Sequence, residues 1–259
     1  MTIDYRARIT DLVAAGLVPA TSRCVFAAGS LVRGWGNSSS DVDVYVVSDE
    51  EWRSDTAVYT SVGLEPATVV GESTRLDGVA WDLHYWLDSQ VDQVMAKVSW
   101  EAYEAGGNAG SRLASPEIAL LERFGHGVDG LGGDWLSARR KALADSAFAV
   151  IRVSYELMYA DSYAEDAVGQ LACDDLHSAV LSARTAFGHA MDALLAHHGE
   201  YNHNPKWRAR RFQAANPTLL SYEDYWALET MRSYDPADPA AWVIEALRAC
   251  RQVSLEVSV

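Results

Sequence analysis

Gly29-Ser30-Leu31-Val32-Arg33-Gly34-Trp35-Gly36, followed by Ser40-Asp41-Val42-Asp43-Val44, is the stretch on which the reading of this chain turns. Cys24-Val25-Phe26-Ala27-Ala28 before it reads as a short buried strand, and Val42-Asp43-Val44-Tyr45-Val46-Val47 after it reads as a second. Between them lies a turn rich in Gly, Ser and Asn. Alternation along the second strand puts Asp41 and Asp43 on one face, with Val42, Val44 and Val46 on the other. Two carboxylates facing one point repel unless a cation sits between them, and spaced oxygen donors suit magnesium, which also binds phosphates. Gly29 ends its strand without a side chain to block a ligand, and Ser30 offers a hydroxyl and an amide, the donors a phosphate needs. Arg33, Asn37 and Ser40 are further polar residues of this turn.

Outward from the turn, Ile3 to Leu17 has the apolar spacing of an opening helix, closed by Gly16 and Pro19. Ser48 is placed to cap a helix through Trp52, with Asp49, Glu50 and Glu51 in its first turn. Ala67 to Val70 and Val79 to Trp86 read as two strands joined by a turn at Asp77-Gly78, which gives a four-stranded sheet. Asp82 lies in the last of these strands, turned away from Trp81 and Leu83. It is the candidate third carboxylate, either for a metal or to take a proton from a hydroxyl. His84 shares its face and is also read as a hydrogen-bonded strand histidine. Helices are expected over Asp92 to Ala105 and from Ser115, where Pro116 and Glu117 follow a capping serine. The glycines from Gly125 to Gly133 break the pattern.

Beyond Asp134 the pattern becomes helical. Leu143, Ala147, Val150, Ile151, Tyr155 and Met158 form one stripe. Leu176, Val180, Ala183, Phe187, Met191 and Leu194 form another, stopped by Gly199. Pro205 to Ala214, Tyr222 to Ser233 and Pro239 to Val257 read as further helices. The expected fold class is therefore α+β: a small mixed sheet with flanking helices over residues 1–133, then an all-helical domain over 134–259.

The chain has 259 residues, 49% of them hydrophobic and 22% charged, as a folded globular protein does. A formal charge of −15 works against phosphate backbones and so against nucleic acid as a partner; it favours a cationic small molecule. No apolar run approaches the ~18 residues of a membrane span and no signal-peptide pattern opens the chain, so a cytoplasmic protein is expected. Cys24, Cys173 and Cys250 are odd in number and far apart, which suits buried thiols rather than disulfides or zinc. His197, His198 and His203 lack clean zinc-ligand spacing.

The Gly-Ser strand end, the glycine-bearing turn, the Ser40-Asp41-Val42-Asp43 opening of the next strand and the later Asp82 together resemble the signature of the DNA polymerase β-type nucleotidyltransferase superfamily. The resemblance implies that Asp41 and Asp43 bind two magnesium ions and that Ser30 holds the β- and γ-phosphates of ATP or another nucleoside triphosphate. Asp82 would complete the metal site or act as base. A hydroxyl would attack the α-phosphate and expel pyrophosphate. The helical half is similar to the domain that follows this unit in antibiotic nucleotidyltransferases such as the streptomycin and kanamycin adenylyltransferases, which implies an aminoglycoside-like or natural-product acceptor. There, Lys206 in Tyr201-Asn202-His203-Asn204-Pro205-Lys206-Trp207 stands where relatives present a lysine to the triphosphate. Glu156, Asp166, Asp174 and Asp175 are alternative bases or amino-sugar ligands, although each also reads as a cap or a helix face. Relatives that build their cleft across two subunits make a homodimer an expectation as well.

Overall fold

The computed structural model describes residues 4–106, 113–202 and 204–257. The fold is α+β, and the chain divides into two compact units, Met1–Ala147 and Phe148–Val259. In the first, the elements run α1 (Tyr5–Ala14), β1 (Ser22–Ala28), α2 (Gly29–Val32), β2 (Val42–Ser48), β3 (Val58–Ser61), β4 (Thr68–Leu76), β5 (Val79–Leu87), α3 (Asp88–Lys97), α4 (Trp100–Glu104), α5 (Ser115–His126), β6 (Val128–Leu131) and α6 (Gly133–Ala144). The six strands form one sheet in the order β3-β4-β5-β2-β1-β6. Among the described residues only β2 and β5 pair in parallel, and every other neighbouring pair is antiparallel.

Alternation decides which side of this sheet is sealed. Val25 and Ala27 of β1, Val42, Val44 and Val46 of β2, and Trp81, Leu83 and Tyr85 of β5 are buried together with Ile9 and Leu12 of α1. The strand partners in register share a face, so Phe26, Tyr45 and His84 lie on the opposite side. There Phe26 stacks on Tyr45 with centroids 5.2 Å apart, and Phe124 of α5 closes over Phe26 at 5.8 Å. The β4–β5 hairpin turns on Asp77-Gly78, both with positive φ, between the paired Leu76 and Val79. This is the two-residue turn that the right-handed twist of a hairpin prefers.

The sheet has two strands more than the four expected, β3 and β6. Both are four-residue edge strands, β3 largely exposed and β6 inside the glycine-rich segment, so neither carries an apolar alternation. The helix expected after Ser48 is absent. Glu72 on β4 accepts hydrogen bonds from Trp52 Nε1 (2.7 Å), Ser54 Oγ (3.0 Å) and Thr56 Oγ1 (2.6 Å), which ties these residues into a loop on the sheet. Three bonds to one buried carboxylate outweigh the helix preference of Asp49-Glu50-Glu51. The helix read over 92–105 is two helices, α3 and α4, with Ser99 capping the second through Ala102 N. Ile3 of the opening helix lies outside the described residues, as does His203.

The boundary between the two compact units falls after Ala147. Helix α6 belongs to the sheet: Leu136 and Leu143 are buried, Trp135 Nε1 donates to Asp88 Oδ1 at 3.0 Å, and Arg140 donates to the Phe124 carbonyl at 2.6 Å. Its turn at Asp145-Ser146 also separates Leu143 from the helix that carries Ile151, so the single stripe read across them is broken.

The second unit is helical: α7 (Phe148–Ala172), α8 (Leu176–His197), a 3-10 turn at Pro205–Trp207, α9 (Arg208–Ala215), α10 (Tyr222–Glu229) and α11 (Pro239–Glu256). Its core packs α8 residues Ala183, Phe187, Met191 and Leu194 against Trp242, Val243, Ala246 and Val253 of α11. Inside it, Asp192 accepts from Arg208 Nη2 at 2.9 Å and Arg211 Nη2 at 2.6 Å, and Arg208 reaches Glu229 at 3.2 Å. Two cations and two anions balance, as buried charges must. Cys24 and Cys250 are buried, with their thiols pushed up to about 12 chiefly by loss of solvent; Cys173 is exposed, contrary to expectation, because it follows α7 into the turn at Asp174. Among the described residues no helix is long and apolar enough to cross a membrane.

Candidate active site

The site is set by the pairing of β2 with β5. Asp43 stands directly opposite Asp82 in the parallel register, and Tyr45 opposite His84, so all four side chains project from one face. Asp43 is half-buried. Its Oδ1 lies 3.9 Å from His84 Nε2, and the His84 ring stacks on Tyr45 at 4.7 Å. Asp82 Oδ1 accepts from Ser73 Oγ of β4 at 2.5 Å, a residue that pairs with it across the hairpin.

On the other side of Asp43 is β1, whose Ala28 is its register partner. Gly29 follows, with φ +82, and a Cβ built there would lie 1.7 Å from Asp43 Oδ2. The glycine is thus required twice: for its backbone angle and for the space its missing side chain leaves to the carboxylate. The Ser30 carbonyl accepts from Trp35 N at 2.8 Å and Gly36 N at 3.1 Å, curling the chain back after one short turn of helix. Gly34 has φ +69 and open space where a Cβ would be, whereas a Cβ on Gly36 would meet Leu31 Cδ2 at 2.4 Å. The Arg33 guanidinium lies 3.6 Å over the Trp35 ring. Ser40 Oγ accepts from Asn37 N at 2.9 Å, and Asn37 Oδ1 accepts from Ser39 N at the same distance, so Asn37 and Ser40 fix the turn that delivers Asp41 to the start of β2.

Arg123 of α5, which the sequence reading did not single out, also belongs here. Its guanidinium lies beside the Tyr45 hydroxyl. Burial works against its charge, but Tyr45, Asp43 and Glu122 hold it firmly protonated. Burial likewise pushes the Tyr45 hydroxyl well above its ordinary value, with Asp43 adding to the rise and Arg123 opposing it. A neutral phenol and a fixed cation therefore back the acidic pair. An arginine in the last turn of an amphipathic helix gives no local sign of such a place.

Among the described residues no three metal-ligating side chains gather within coordinating reach. Asp43 and Asp82 form a register pair, and Asp41 immediately precedes β2. The donor chemistry, all carboxylate oxygen, fits magnesium, and the missing side chain of Gly29 lets the Asp43 carboxylate pack directly against the backbone at the end of β1.

Lys206 belongs to the second unit, where it is exposed, its N–H donates to Asn204 Oδ1 at 3.2 Å, and its Nζ lies 5.3 Å over the Trp207 ring. The alternative acids are there too. Asp175 caps α8 through Ser178 N, and Asp166 and Asp174 are exposed. Glu156 is buried with both oxygens engaged, by Arg152 Nη2 at 2.5 Å and His189 Nδ1 at 2.7 Å.

No protein-family model matches the chain, and no curated protein matches it in sequence. Among solved structures, a nucleotidyltransferase-like protein from Exiguobacterium sibiricum 255-15 is similar over 97% of this chain and 74% of its own, with 12% sequence identity and a TM-score of 0.49. Likeness at that level transfers no residue role.

Proposed function

We propose that the chain is a magnesium-dependent nucleotidyltransferase that moves a nucleoside monophosphate, AMP from ATP in the leading case, onto a hydroxyl of a small molecule. The observation that carries this reading is the register pair Asp43 and Asp82, with Gly29 kept bare against the Asp43 carboxylate. Carboxylates are rarely placed on adjacent central strands of a sheet, facing the same way, without a cation or a proton to share.

Asp41 and Asp43 would hold the magnesium, with Asp82 as the third donor or the base. When bound, magnesium supplies charge neutralisation for the triphosphate oxygens. Ser30, through its hydroxyl and amide, binds the β- and γ-phosphates, helped by the turn that Asn37 and Ser40 fix. Asp82, held from behind by Ser73, takes the proton of the attacking hydroxyl. The hydroxyl oxygen forms a bond to the α-phosphorus, the bridge to the β-phosphate breaks, and pyrophosphate leaves with the electron pair. Arg123 and Tyr45 keep the underside of Asp43 fixed and dry. Arg33 is a supplementary phosphate ligand in this scheme, and a homodimer remains compatible with it.

The test is to incubate the protein with magnesium and each α-labelled nucleoside triphosphate in the presence of small-molecule alcohols, bulk protein and bulk RNA. Label on a small molecule with stoichiometric pyrophosphate supports the reading. Label on protein or RNA reassigns the acceptor, and no pyrophosphate from any combination refutes transfer.

A further inference from the structure

On the β4 side of the acidic pair the face of the sheet is left partly open. A cavity of about 340 Å³ opens there, lined by Tyr45 and His84 and continuing between β4 and the first turns of α5. Its size falls at the lower end of small-molecule sites. Gly71 on β4 makes much of the room. It is the register partner of His84, and a Cβ built on it would meet nothing nearer than the Leu83 carbonyl oxygen at 3.9 Å and the Val58 carbonyl oxygen at 4.0 Å. Its φ is not in the left-handed region, so neither the backbone nor crowding demands glycine here. A strand glycine with open space above it marks a close approach by something else.

The walls define what that is. Trp86 and Tyr45 contribute rings and Ala119 of α5 a small apolar surface, while Thr60, Ser115 and His84 are the polar groups. Among the described residues, no aspartate, glutamate, lysine or arginine lines the cavity. A polycation entering it would lose its water against a lining that offers no carboxylate of its own, Asp43 and Asp82 lying outside the lining beside His84. An uncharged ring would gain apolar contact and find hydroxyl and imidazole partners at its edge.

We infer that this cavity receives a flat, uncharged ring of the acceptor, which selects aromatic or otherwise unsaturated alcohols over aminoglycoside-like polycations. The inference rests on the nucleotidyl-transfer reading for its direction. Ser30 follows β1, on one side of Asp43, and the cavity lies toward β4, on the other. In-line displacement puts the leaving group and the attacking oxygen at opposite ends of the α-phosphate. A triphosphate tail at Ser30 therefore leaves the acceptor the side that His84 and the cavity occupy.

The experiment fills the cavity from two walls. Gly71→Leu projects a side chain from the sheet, and Ala119→Leu projects one from α5; an unchanged melting transition certifies each fold. Binding of 2-naphthol, of the polycation neamine, and of a non-hydrolysable ATP analogue with magnesium is measured by calorimetry. The wild-type protein binds 2-naphthol, both variants weaken it roughly tenfold or more, the nucleotide analogue is unaffected, and neamine does not displace 2-naphthol. Unchanged 2-naphthol affinity in both folded variants overturns the proposal, as does displacement by neamine. Parallel loss of the nucleotide analogue assigns the cavity to the nucleobase and also overturns it. Failure of the wild-type protein to bind the analogue refutes the transfer reading instead, while the 2-naphthol arm still reads the cavity.

Discussion

The two faces of β2 and β5 are made of alternate residues of the same strands, yet they are put to opposite uses. Val42, Val44, Val46, Trp81 and Leu83 face α1 and are sealed from water. One residue out of phase, Asp43, Tyr45, Asp82 and His84 face a half-open space in which charge, hydrogen bonding and an empty cavity coexist. The sealed face holds the strands in register, and register is what brings Asp43 opposite Asp82. Stability on one side thus becomes positional accuracy on the other.

Substitutions on the two faces should therefore fail differently. Asp43→Asn is expected to lower transfer on the order of 10²–10³-fold or more while leaving the melting transition nearly in place, checked by pyrophosphate release beside calorimetric unfolding. Leu83→Ala, on the sealed face, should cost about 2–5 kcal/mol by denaturant titration, with activity per folded molecule largely preserved at low temperature. Loss of activity ahead of unfolding in that variant would show that the faces are not separable. Gly29→Ala sits between them. Its strained φ and its collision with Asp43 should reduce activity by roughly one to two orders of magnitude and stability by about 1 kcal/mol, and a fully active variant would remove the cradle from the account. The smallest effect is expected for Ser73→Ala. It removes one hydrogen bond from Asp82 and should slow transfer by no more than about tenfold, with the change in kcat rather than KM.

Much of this contrast is legible in the sequence because it lives in a two-residue period. Val42-Asp43-Val44 declares which side is apolar, and Trp81-Asp82-Leu83 repeats the declaration. Gly29 and the Asp77-Gly78 turn are equally local, since each depends on a backbone angle that glycine tolerates. What escapes is whatever depends on a distant partner. Glu72 unmakes the helix expected after Ser48 through side chains 16 to 20 residues away. Arg123 enters the site only because α5 crosses over Tyr45, and α6 joins the sheet unit through Asp88 and Phe124. β3 and β6 become strands only because β4 and β1 offer them an edge. β6 carries Asp129 and Gly130, which strands disfavour, and β3, though its Val58, Tyr59 and Thr60 favour a strand, is too short and exposed to show a buried face.

The most direct test of the acidic face as a nucleotide and metal centre needs no acceptor. Binding of a non-hydrolysable ATP analogue is titrated calorimetrically with and without magnesium, for the wild-type protein and for Asp43→Asn. Tight binding is expected only when magnesium and Asp43 are both present. Equal binding in all four titrations, or none in any, would contradict it.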